Sequence, residues 1–245
     1  MYAKAEYCDI GYCFLEDQGG FAFQPPRTVI EGRSKALGLR AIQNCPAVNT
    51  IERQLVEIPS PIALRMSLSI AGGKLDFQIN STGTFAKPNI LQKLVSAEPP
   101  ERWRDRNKPI LRMKLPFFFV TDEPCVASIL PPFLSPSLRQ WPGTVVAGRY
   151  PVTNWPQNIT WALEWDKIDE ELVIRQGEPL AYAMFEFNNP NKRPKLVEAE
   201  LTDELDEYRA GMDGVHQLTN QIEELWMNAS ERRPAKLLTP LLVDA

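Results

Sequence analysis

Alternation of apolar and polar residues is the strongest pattern in this chain, and it is clearest between residues 64 and 79. Leu64, Met66, Leu68 and Ile70 alternate with Arg65, Ser67 and Ser69. After Gly72-Gly73, Leu75, Phe77 and Ile79 alternate with Asp76, Gln78 and Asn80. A period of two is that of a half-buried strand, and a Gly-Gly loop joins two such strands as a hairpin. The loop fixes the register, placing Ala71 opposite Lys74, Ile70 opposite Leu75, Leu68 opposite Phe77 and Met66 opposite Ile79. Every apolar residue then meets an apolar partner. A slip by one residue would turn the whole set outward.

Strand character recurs downstream. Leu111, Met113 and Leu115 alternate with Arg112 and Lys114, and Phe117–Val120 is apolar at every position, as in a strand covered on both faces. Cys125–Leu130, Thr144–Ala147, Thr160–Trp165, Leu172–Arg175 and Leu180–Phe187 are further candidates. Pro116, Pro124, Pro131-Pro132, Pro142, Pro151, Pro156 and Pro179 fall between them, where strand ends and edges tolerate proline. Residues 1–54 read as irregular, because Gly19-Gly20, Pro25-Pro26, Gly32, Gly38 and Pro46 break each apolar run; only 33–44 could make a short helix. Residues 85–108 read as an insertion, with a short helix over Asn89–Val95 and a charged, proline-bounded loop over Pro99–Pro109.

The last fifth of the chain changes period. Thr202 suits a helix N-cap ahead of Asp203, Glu204 and Asp206, whose charges favour the positive helix end. Val215, Leu218, Ile222, Leu225, Trp226 and Ala229 then fall on one helix face, closed by Arg232, Arg233 and Pro234. Strands followed by helices predict a mainly β protein. The expected architecture is an antiparallel β-sandwich or barrel, jelly-roll or cupin-like, with a C-terminal pair of short helices. Residues 1–54 would pack on or extend from the core, 55–200 would form the β domain, and 201–245 a helical appendage.

Composition narrows the function classes. The chain has 245 residues, 44% hydrophobic and 24% charged, with a net charge of −4. That balance gives no basic footprint for a nucleic acid; the cluster Arg102-Trp103-Arg104-Asp105-Arg106 mixes cations with an aromatic, but Glu101 and Asp105 offset it. The longest strongly apolar run, Leu115–Val120, is far short of the roughly 20 residues a membrane helix needs, so no membrane partner is expected. No basic segment followed by an apolar run opens the chain, so a cytoplasmic location is expected, in the host cytoplasm or a virion if the gene is phage-borne. One histidine, His216, and four scattered cysteines, Cys8, Cys13, Cys45 and Cys125, give no metal-ligand spacing; no metal or cofactor is expected, and the thiols read as reduced. The phosphate-loop, dinucleotide and nucleophile-elbow fingerprints are missing from the sequence, so no catalytic residue is assigned.

The segment 148–187 is the richest in site chemistry. Arg149, Asn154, Trp155, Trp165 and Glu178 combine polar groups with tryptophans near strand ends, and Pro151, Pro156 and Pro179 would stiffen the loops that carry them. A small-ligand pocket needs such a mixture, and these five are the expected ligand-binding residues. The same aromatics would also serve as core.

The succession E-I-P-S-P-I (Glu57–Ile62), L-P-F-F-F-V-T-D-E-P (Leu115–Pro124), G-R-Y-P-V-T-N-W (Gly148–Trp155), W-A-L-E-W (Trp161–Trp165) and R-Q-G-E-P-L-A-Y (Arg175–Tyr182) resembles an uncharacterised family, a domain of unknown function, found in bacteria and phages. The resemblance covers roughly residues 55–190. It implies a compact β-rich domain and a phage or bacterial origin, with no activity to carry over. The Gly-Glu-Pro turn also resembles those of cupins and dUTPases, although the cupin metal histidines are missing here. Together these features lead to the expectation of a non-catalytic binding protein for a small molecule or a partner protein. The alternatives are a virion or assembly component and a metal-independent enzyme working through carboxylates such as Glu164 or Glu178. A homo-oligomer is left open.

Overall fold

The computed structural model describes residues 6–15, 23–31, 41–71, 74–80, 91, 94–212 and 221–241. The Gly72-Gly73 turn, most of the short helices expected over 33–44 and Asn89–Val95, and His216 lie outside these residues. Strands β1 (Glu6–Phe14), β2 (Arg27–Thr28), β3 (Leu55–Pro59), β4 (Leu64–Ala71), β5 (Lys74–Asn80) and β6 (Val95–Ala97) come first, with α1 (Pro46–Glu52) between β2 and β3. Then follow β7 (Ile110–Lys114), β8 (Phe117–Val120), β9 (Cys125–Leu130), β10 (Gly143–Val145) and β11 (Gly148–Pro151). The chain continues through β12 (Thr160–Trp165), β13 (Leu172–Ile174), β14 (Pro179–Phe187), β15 (Lys192–Glu198), α2 (Asp203–Ala210) and α3 (Ile222–Glu231).

The protein is mainly β. The strands form four sheets, ordered β15-β1-β8, β10-β12-β7-β6, β11-β9-β14-β3-β2 and β13-β4-β5. Every sheet is open among the described residues, so the barrel alternative is not what forms. One apolar core ties all four together, drawing Ile10 and Phe119 from the first, Met113 and Leu163 from the second, Val56 and Ala183 from the third, and Met66 and Leu172 from the last.

The hairpin takes the register that its pattern dictates, with Met66 opposite Ile79, Leu68 opposite Phe77 and Ala71 opposite Lys74. Met66 and Leu68 are buried, whereas Leu75, Phe77 and Ile79 remain half-exposed on the neighbouring strand. Leu68→Ala is expected to cost about 2–5 kcal/mol through lost burial and the cavity left behind, and Ser67→Ala less than about 0.5 kcal/mol. Equal shifts of the urea midpoint for the two variants would contradict this assignment of faces.

The first 54 residues depart from expectation. Glu6–Phe14 is a strand that lies between β15 and β8, parallel to β15 and antiparallel to β8. The parallel pair is an exception to an otherwise antiparallel plan. Cys8 and Cys13 stand at two of its buried positions, and Gly11 breaks the middle of its pattern, which hides the strand in the sequence. Pro194 similarly disguises β15; it is tolerated because β15 is an edge strand, whose outer N–H groups have no ladder partner to lose.

The Phe117–Val120 run is covered on both faces. Phe117 and Phe119 enter the main core, while Phe118 and Val120 join a second cluster with Cys13, Ala199, Leu205, Tyr208, Ala229 and Leu238. The sheet β15-β1-β8 therefore separates the main core from the C-terminal helices. Thr202 caps α2, its hydroxyl accepting the Leu205 N–H at 3.3 Å. The tail returns to the sheet, Ala199 bridging Pro240, so the helical segment is bound to the β core at both ends.

Candidate functional site

Four separate environments hold the five residues expected to bind ligand. Arg149 lies exposed on the edge strand β11, its guanidinium 2.6 Å from the Glu186 carboxylate. Asn154 and Trp155 form a seat for the C-terminal helices: the Asn154 carbonyl oxygen is 3.2 Å from the Tyr208 hydroxyl, and Trp155 meets Trp226 edge-on at 5.1 Å. The same loop accepts the Arg233 Nε–H on the Thr153 carbonyl at 2.9 Å. Trp165 is fully buried, its indole N–H donating to the Lys167 carbonyl at 2.8 Å.

Glu178 closes a turn. Its carboxylate accepts the Arg175 N–H at 2.9 Å, and Gly177 supplies the left-handed backbone, φ 77°, that the turn requires. Across the β11-β9-β14 ladder Arg149 stands level with Met184, six residues beyond Glu178. At about 3.3 Å per residue this is roughly 20 Å along the sheet, so the two charged groups of the expected site do not share a cleft.

A small hollow does lie near the expected position. About 260 Å³ in volume, it sits between β11 and β12, lined by Gly148, Tyr150, Trp155, Ile159 and Thr160 among others. The Tyr150 hydroxyl is buried without a hydrogen-bond partner, and burial pushes its pKa up. The carboxylates considered for acid–base chemistry are engaged separately: Glu164 is salt-bridged to Arg104 at 2.9 Å, on a different sheet from the Glu178 turn. Among the described residues no three His, Cys, Asp or Glu side chains group as metal ligands. Burial raises the Cys8 thiol to about 11 and the Cys13 thiol to about 12, so both stay protonated and weakly nucleophilic near neutral pH.

The larger concavity lies elsewhere, between β5 and the loop that runs from the end of β6 to the start of β7. It encloses about 780 Å³, within the range of small-molecule sites. Leu75 and Phe77 of β5 form one wall, Pro99, Pro100, Trp103 and Pro109 the other, with Ile168 completing the apolar lining. The half-exposure of β5 fits this: Leu75 and Phe77 pack in part against the main core and leave the rest of their surface to the groove.

The loop is rigidly held. The Trp103 indole N–H donates to the Glu98 carbonyl at 2.8 Å, the Glu98 N–H to Ile110 at 2.8 Å, and the Asn107 N–H to the Asp105 carboxylate at 2.9 Å. Ion pairs Arg104–Glu164 (2.9 Å) and Lys108–Asp166 (2.8 Å) clamp it to the end of β12, where the Trp165 N–H also donates to Pro109. Trp165 stands behind the groove, edge-on to Phe77 at 6.4 Å. Three prolines and this bonding brace the loop, and a braced loop has less conformational freedom to lose on meeting a ligand.

Two parts of this groove stand out in the sequence for other reasons. Phe77 reads as core from its alternation, and Trp103 and Arg106 stand out as an aromatic–cation cluster. The signal that could have joined them, a charged loop rich in proline beside a sheet edge, has no periodicity of its own. No protein-family model matches the chain, and no curated protein shows significant similarity to it.

Proposed function

We propose that this chain is a binding protein for a small molecule, and that its ligand occupies the groove between β5 and the 98–109 loop. The carrying observation is a drug-sized concavity with apolar walls and a loop already fixed by hydrogen bonds, ion pairs and prolines. A sandwich-like packing of open sheets fits this reading, since the groove opens where the edge strands β5 and β6 lie beside one another without pairing.

An uncharged aromatic fluorophore, N-phenyl-1-naphthylamine, tests the reading. Wild-type protein is expected to enhance its emission saturably at one site per chain. Ala97 is an exposed residue of the groove lining, so Ala97→Phe should fill the space without disturbing the core. Its binding is expected to fall about tenfold or more at an unchanged thermal midpoint. Binding by the filled variant equal to wild type, or none by wild type, would refute the assignment.

A further inference from the structure

We infer that the ligand of this groove is an amphipathic anion: a flat apolar body carrying a single carboxylate, sulfonate or phosphate group that meets Arg106. The inference rests on the binding reading above and adds its chemical class. Two charged side chains line the groove, Glu98 and Arg106. The Glu98 carboxylate is already met by two guanidiniums, Arg102 at 3.2 Å and Arg112 at 2.8 Å. Arg106 has no ion-pair partner among the described residues, although its neighbours Arg104 and Lys108 are both paired. The lining therefore offers one uncommitted positive charge and no uncommitted negative one. Its guanidinium presents several donors in a plane suited to the oxygens of an acid group, and Asn107 beside it adds an amide.

The remainder of the groove suits the apolar body. Trp103 and Phe77 offer ring faces or edges, and the prolines a stiff wall. A smaller cavity of about 270 Å³ adjoins it, sharing Phe77 and Ala97 and reaching Met66, Ile79, Val95 and Leu111. A ligand whose ring rests near Trp103 thus has further apolar space beyond Phe77.

The test compares two probes with the same aromatic body, the uncharged N-phenyl-1-naphthylamine and 8-anilinonaphthalene-1-sulfonate, which adds one sulfonate. Arg106→Gln is expected to weaken the sulfonate about tenfold or more while changing the uncharged probe less than about twofold, and Arg106→Lys to restore part of the loss. Ala97→Phe should block both. Displacement of the sulfonate by 1-naphthylacetate or by 1-naphthyl phosphate, and not by 1-naphthylmethanol, supports the class, and the stronger of the two names the acid group. Equal weakening of both probes by Arg106→Gln, no effect on either, or displacement by the alcohol as readily as by the acids overturns the anion inference while leaving the groove itself standing. Failure of the uncharged probe to bind removes the groove first.

Discussion

Replacing Trp165 with alanine is expected to destabilise the protein by about 3–5 kcal/mol, the cost of removing a large buried aromatic and leaving its cavity. Trp165 shows no exposure and has three roles at once. Its indole N–H satisfies the Lys167 carbonyl, its backbone N–H donates to the Pro109 carbonyl at the end of the groove loop, and its ring packs against Phe77 in a T-shaped contact. Across the ladder it faces Gly143, where an added Cβ would strike the Glu164 carbonyl, so the partner position carries no side chain that could fill the void. Trp165→Phe keeps most of the apolar contact and loses the indole hydrogen bond, and about 1–2 kcal/mol is expected. Urea unfolding with an unchanged slope would read both values. A loss below about 1 kcal/mol for the alanine variant would mean that the ring is not core, and would reopen its role as a ligand contact. Because Phe77 rests on Trp165, weaker probe binding should accompany the loss of stability.

How much of this could be read from the chain depends on how local each feature is. The hairpin register, the bounds of β9 and β12, and the Thr202 cap follow from neighbours within a few residues, and the sequence predicts each of them. The strand β1 depends on partners more than a hundred residues away, Val120 and Lys192–Glu198, and its own residues carry a glycine and cysteines in place of an alternating aliphatic set. Pattern alone could not place it. The candidate site failed to emerge for a related reason. Alternation tells which face of β5 is apolar, yet not whether that face meets a packed layer or a groove. Trp155, Trp165 and Glu178 look like site residues because they combine aromatic or charged chemistry with nearby prolines, but each is consumed by a structural duty: helix docking, core filling or turn closure. Arg106, which has no ion-pair partner among the described residues, has nothing in its local sequence to mark it off from Arg102 or Arg104.

The joint between the β core and the C-terminal helices gives the second large expectation, at Gly11. A Cβ at this position would collide with Leu238 and lie 2.9 Å from both Ala199 Cβ and Val120 Cγ1. Those three groups come from the tail, the bridge that holds the tail, and β8. Val120 and Ala199 are stiff and anchored through paired backbone, so only the Leu238 side chain can yield. Gly11→Ala is expected to cost about 3 kcal/mol, the upper part of the range for overpacking, and Gly11→Val to undock the segment from Ala199 onward. Limited proteolysis should then cut between the β core and α2 in the valine variant while wild type resists. Leu238→Ala separates this steric cause from any general weakness of β1. Alone it leaves a cavity and costs about 2–5 kcal/mol; beside Gly11→Ala the new methyl occupies part of that cavity. The double variant should therefore be more stable than the sum of the single losses by about 1–3 kcal/mol. Strict additivity would show that the methyl at position 11 and the leucine at 238 do not compete for one space, and that the sheet is not held against its helices in this way.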